Sequence, residues 1–178
     1  MMYEPKEDSF LLKEQVKKYA KNKTVLDIGS GSGIQAETAI KSGAKNVLAT
    51  DIKDYIIKYL KNKSIKAIRS NLFSALKNKK FDLIIFNPPY LPEDKREDRK
   101  SKVSTTGGKR GDEIILRFLK QAPKYLNKNG KIFLVISSLT PQQRINKLLE
   151  KQKLKRIIIA EQKFFFEKLE VLEISKVD

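Results

Sequence analysis

Four consecutive residues, Asn87-Pro88-Pro89-Tyr90, carry the most specific chemistry in this chain of 178 residues. Adjacent prolines fix the backbone and remove two N–H donors, so the carbonyls there face outward as acceptors. The Asn87 side-chain oxygen and the Pro88 carbonyl can then each accept a hydrogen bond from one planar –NH₂ group. Tyr90 offers a ring face on which such a group can stack. The arrangement suits a carboxamide or a nucleobase amine and is poor for an isolated hydroxyl. Asn87, Pro88, Pro89 and Tyr90 are therefore the expected catalytic residues; read blandly, a Pro-Pro pair after a strand is only a rigid turn.

A second motif, Val25-Leu26-Asp27-Ile28-Gly29-Ser30-Gly31-Ser32-Gly33, reads as a strand running into a glycine-rich turn and a helix. Gly29, Gly31 and Gly33 allow a sharp turn and close approach of a ligand to backbone, and the helix N-terminus supplies free N–H groups. Asp51 ends the next strand 22 positions after Gly29, where a carboxylate can accept both hydroxyls of a ribose. A nicotinamide dinucleotide site would need a small residue at position 34, which is Ile34. The G-x-G-x-G pattern with Asp27 and Asp51 instead favours S-adenosylmethionine. Ile52 beside Asp51, Asn71 with Leu72 after the third strand, and Asn87 itself belong to the same expected set, Asn71 offering its amide to the adenine edge.

The two motifs fit one reaction. A sulfonium methyl is already electrophilic, so transfer depends chiefly on aligning the attacking nitrogen. Two acceptors stabilise positive charge as it develops on that nitrogen. No strong base is required, and none is obvious beside the motif; the chain has no histidine. Cysteine is also absent, which excludes disulfides and thiolate metal sites. No tight acidic cluster suggests a metal, and none is expected.

Apolar runs at residues 24–28, 46–50, 65–69, 81–86, 131–136, 154–160 and 169–175 read as strands, the fifth preceded by an Asn129-Gly130 turn. Helical patterns at 8–19, 35–41, 55–61, 112–125 and 141–151 fill the intervals, the last with Pro141 in its first turn. Alternation of this kind predicts an α/β fold. The sheet should be seven-stranded, mostly parallel and Rossmann-like, with helices on both faces and the last strand antiparallel, as in class I methyltransferases. Residues 1–178 are expected to form a single domain, and the long irregular segment 91–111 to be functional.

The formal charge is +17. It can be an electrostatic footprint for nucleic acid or a ribosome-associated partner, or a lysine-rich bias spread over solvated faces. No signal-peptide pattern or apolar run of membrane-spanning length is present, so a soluble, cytoplasmic protein is expected.

Beyond these motifs, the sequence resembles the HemK-like (PrmC-related) protein glutamine methyltransferases, in particular the short archaeal and eukaryotic type that modifies class 1 translation release factors. The likeness runs from Tyr3-Glu4-Pro5-Lys6-Glu7-Asp8-Ser9-Phe10-Leu11-Leu12 through the glycine turn, Asp51 and Asn87 to Tyr90. It continues at Gly107-Gly108-Lys109-Arg110-Gly111 and ends at Glu167 and Leu169. The resemblance implies that residues 1–22 close over the cofactor, with contacts from Ser9 and Tyr3, and that 91–111 meets the substrate. It implies a glutamine side-chain amide in a Gly-Gly-Gln loop as substrate, and a small zinc-binding activator protein, for which the strand 65–69, expected at the sheet edge, is the expected docking surface. Two departures stand out. Asn71 replaces the family's usual Asp, and Ser104-Thr105-Thr106 precedes Gly107 where the family carries an aromatic. Alternative readings are a nucleobase amine in RNA or DNA, a protein lysine, or a non-catalytic binding subunit.

Overall fold

The computed structural model describes residues 3–90 and 107–177. Seven strands form one sheet in the order β3-β2-β1-β4-β5-β7-β6. They are β1 (Thr24–Ile28), β2 (Asn46–Asp51), β3 (Ala67–Arg69), β4 (Phe81–Phe86), β5 (Leu126–Ser137), β6 (Leu154–Lys163) and β7 (Lys168–Lys176). Strands β1 to β5 pair in parallel, while β7 inserts between β5 and β6 and runs antiparallel to both. The expected sheet is therefore found. Strand order reverses between β1 and β4, which opens a crevice at the strand C-termini where open α/β sheets bind ligands.

The period-two alternation of each strand sends side chains to two cores. Leu26, Ile84, Phe86, Ile132, Leu134 and Leu172 face one side, together with Ile115, Phe118 and Leu119 of α4 (Glu113–Gln121) and Ile145 and Leu149 of α5 (Gln142–Lys151). Val25, Leu83, Ile85, Phe133, Val135 and Val171 face the other, against Leu12 and Val16 of α1 (Glu7–Tyr19) and Ala39 of α2 (Ile34–Lys41). Ala36 of α2 and Ile56, Ile57 and Leu60 of α3 (Asp54–Asn62) cover β2 and β3 on a third cluster. In α1, Leu12 and Val16 repeat at four-residue spacing, and Glu7 and Asp8 in the first turn with Lys17 and Lys18 in the last complement the helix dipole.

Among the element boundaries that differ from the sequence reading, three have a local cause. Asn129-Gly130 lies inside β5 as an irregularity, because pairing with β4 jumps from Phe81↔Leu126 to Leu83↔Lys131. A Cβ on Gly130 would sit 2.8 Å from the Phe81 carbonyl oxygen, so the glycine answers a close backbone approach. The helix expected over 112–125 stops at Gln121 and continues as a 3₁₀ turn, Ala122–Tyr125, since Pro123 cannot sit in an α-helix interior. Pro141 is the N-cap of α5, one position outside the helix.

Candidate active site

Every residue expected to bind the cofactor or act in catalysis lines one cavity of about 730 Å³, with the exception of Gly33. Gly33 caps α2 in a left-handed conformation, φ 80°. A Cβ there would lie 2.6 Å from Leu60 Cδ2 and 3.2 Å from Ile65 Cδ1, so this glycine serves the packing of the turn on its neighbours.

The first wall is built mostly from backbone. Gly29 and Gly31 hold positive φ values of 64° and 50°, and the Ser30 N–H donates to the Thr50 carbonyl at 2.9 Å, tying the turn to β2. Asp51, buried at the end of β2, accepts from Gly31 N at 3.2 Å on Oδ2 and from Lys53 N at 3.0 Å on Oδ1. Both carboxylate oxygens are thereby fixed, with lone pairs left for two further donors. Asp27 is 2% exposed and accepts from Ala36 N at 3.2 Å. Burial pushes its carboxyl up to about 7, against hydrogen bonds from Ser30 and Ala36 that hold it down, with the Asp51 charge adding to the rise. The Asn71 Oδ1 accepts from Arg117 Nη2 at 3.2 Å, which leaves the amide –NH₂ as its uncommitted side.

The opposite wall is built from side chains of distant segments, with Asp8 at its centre. Asp8 Oδ2 accepts from Asn87 Nδ2 at 3.1 Å, Tyr3 OH at 3.0 Å and Tyr90 OH at 3.4 Å. Its Oδ1 accepts from Ser9 N at 2.6 Å, from Ser9 Oγ at 3.2 Å and from Tyr3 OH at 3.1 Å. Because the Asn87 amide donates through Nδ2, its Oδ1 is turned away from Asp8. That oxygen is buried and finds no partner among the described residues. Burial, then the Asp8 charge, raises both the Tyr3 and Tyr90 phenols above their ordinary values, so each remains a protonated donor. Thr140 Oγ1 donates to the Tyr90 carbonyl at 3.1 Å, and so pins the end of the Asn87 to Tyr90 segment to the loop after β5.

Sequence reasoning missed Asp8: it placed the residue only at the start of the 8–19 helical pattern and within the opening segment 3–12, and found no obvious base beside the motif. A carboxylate does lie there, but its lone pairs are taken by five donor groups from four residues, so it orients the site. Gly107 was noted as part of a motif without a structural reason. A Cβ there would collide with the carbonyl oxygens of Gly111 and Pro89, so this stretch packs against the Asn87 to Tyr90 segment. The rest of the expected loop, 91–106, lies outside the described residues.

Charge around the cavity contrasts with the chain as a whole. Five carboxylates (Glu7, Asp8, Asp27, Asp51 and Glu167) face two lysines, Lys6 and Lys53, on a chain of net charge +17. An acidic cavity with a fixed carboxylate at its ribose end suits a cofactor that carries a sulfonium and an ammonium. Among the described residues no group of His, Cys, Asp and Glu could hold a metal ion, and no helix is long and apolar enough to cross a membrane.

Comparison with known proteins agrees with this geometry. Residues 6–166 match the methyltransferase small domain. A protein of Methanocaldococcus jannaschii, provisionally named a protein N5-glutamine methyltransferase, is 42% identical over 156 residues, covering 83% of this chain and 78% of the relative. A release factor glutamine methyltransferase of Rhodopirellula baltica is 31% identical over 133 residues, covering 65% of this chain; the chain spans only 45% of that relative's length. Among solved structures, the E. cuniculi Mtq2–Trm112 complex responsible for methylation of the eRF1 translation termination factor superposes with a TM-score of 0.79 at 23% identity, covering 99% of each chain. The chain belongs to the methyltransferase small domain family and is an S-adenosylmethionine-dependent methyltransferase.

Proposed function

We propose that this enzyme methylates the side-chain amide nitrogen of a glutamine in a protein, the Gly-Gly-Gln loop of a translation release factor. The observation that carries the reading is the Asn87 amide. Its Nδ2 is committed to Asp8, and its buried Oδ1 is left as an acceptor in a cavity. A primary carboxamide has two N–H groups to offer, and Asn87 Oδ1 with the Pro88 carbonyl accepts them. The nitrogen is thereby held in one orientation with its lone pair free of the acceptors. Tyr90, fixed through its hydroxyl to Asp8, offers a ring face to the planar group.

S-adenosylmethionine, when bound, supplies an electrophilic methyl group. Asp51 would hold its ribose, with Ile52, Asn71 and Leu72 around the adenine, and the glycine turn its aminoacyl end. The opening segment would close over that site, through Tyr3 and Ser9 on the cavity wall, and the chain acts as one cytoplasmic domain. The names of the archaeal and bacterial relatives support glutamine as the target. The Mtq2–Trm112 neighbour supports a small activator protein, which by the family resemblance binds zinc. The outer strand β3, which pairs on one side only with β2, offers an edge for it to extend.

Transfer of radiolabelled methyl groups to purified release factor, beside total tRNA and rRNA, tests the reading. Label is expected in the release factor, with activator present; label in RNA alone would overturn it.

A further inference from the structure

The β6–β7 connection is a four-residue turn, closed by the Phe164 N–H donating to the Glu167 carbonyl at 2.7 Å. Three of its residues are phenylalanines, and Phe165 and Phe166 are 91% and 83% exposed. Their rings meet edge to face at 4.5 Å. Two solvent-facing aromatic rings at the tip of a hairpin gain nothing for the fold, yet all of Phe164 to Glu167 line the cavity that contains Asn87. Glu167 adds a second signal. Its Oε1 is buried and unpartnered among the described residues, and its charge is felt by both Tyr3 and Tyr90. An orphaned buried acceptor beside exposed rings is what a wall waiting for a peptide would present.

We propose that this turn is the docking lip for the segment of the protein substrate that carries the target amide. Phe165 and Phe166 pack against the main chain flanking the reactive residue, and Glu167 accepts an N–H from it. The inference rests on the protein-amide reading above. Charge favours a peptide over a polynucleotide, which would need cations at the lip for its phosphates. The lysines beside the turn already face acids: Lys168 lies 3.5 Å from Glu161, and Lys163 lies 4.0 Å from it. The cavity behind is acidic. Rigid aromatic rings suit a main chain with little side-chain bulk, since they give contact area at low entropic cost.

The F165A/F166A double variant tests the lip on the full chain with release factor as substrate. The KM for release factor should rise about tenfold or more, with kcat at saturation and S-adenosylmethionine binding unchanged. An unchanged KM, with the wild type active on release factor, would overturn the lip and leave the amide reading standing. Wild-type label in RNA alone would sink the amide reading itself. E167A should raise KM more than E167Q, which keeps an acceptor oxygen; equal effects would remove the Glu167 assignment. The chain has no tryptophan, so F165W gives a single emission reporter. Its emission should shift on adding release factor and not on adding tRNA, and the reverse pattern would overturn the proposal.

Discussion

The two walls of the cavity are built in different ways. The wall at the β1 and β2 ends is made of contiguous sequence and backbone, with glycines in left-handed conformations and Asp51 held by N–H groups. The wall around Asn87 is made of side chains, and its central hydrogen bond joins residues 79 positions apart. A backbone-built site tolerates single substitutions in its surroundings, because the peptide groups remain. A side-chain network built on one carboxylate is coupled, so losing a member disturbs the others. The first wall should therefore answer mutation mainly in binding, and the second mainly in turnover.

Asn87→Ala is the sharpest test of that division. It removes the acceptor for the target nitrogen and should lower kcat on the order of 10²–10³-fold, with cofactor affinity little changed by calorimetry. Asp8→Asn comes next. It replaces the acceptor for Asn87, Tyr3 and Tyr90 with a group that must both donate and accept, so the Asn87 amide is no longer held in one orientation. A fall in kcat of about 10²-fold or less is expected, and single-turnover measurements should place it in the methyl-transfer step. An effect confined to cofactor affinity would break the comparison from that side.

Asp51→Ala should act on the other wall, weakening S-adenosylmethionine about 10- to 100-fold through two lost hydrogen bonds to a charged group. Its kcat at saturating cofactor should move much less. Asp27→Asn should give the smallest effect, visible only as pH dependence. With a folded-state value of about 7 against an ordinary 3.8, the folded protein keeps a proton that the unfolded chain releases. Asp27 therefore contributes its full stability below about pH 4 and loses it as pH rises through about 7. Thermal melts of the cofactor-free protein should show that decline, and the variant should flatten it.

The same contrast explains how much was legible in the sequence. Strands β1 and β4 could be read directly, because a buried run that ends in glycines, or in Asn87-Pro88-Pro89, is a local signal. Gly33 falls outside the cavity lining, which the motif could not say, because its place is set by packing against Leu60, 27 residues away. Asp8 and Glu167 were present in recognised segments, but the bonds of Asp8 to Asn87 and Tyr90, and the place of Glu167 in the same cavity, exist only after folding. The bond between Arg117 and Asn71 is likewise tertiary: it fixes which side of the amide is free, where sequence alone left both.

In the reading proposed above, the Asn87 wall presents a protein amide for methylation. The decisive measurement is mass spectrometry of release factor after reaction with wild-type enzyme, the proposed activator and S-adenosylmethionine. One added methyl is expected on the side-chain nitrogen of the Gly-Gly-Gln glutamine, absent with Asn87→Ala. A methyl on a lysine, or on RNA with an unmodified glutamine, would contradict it.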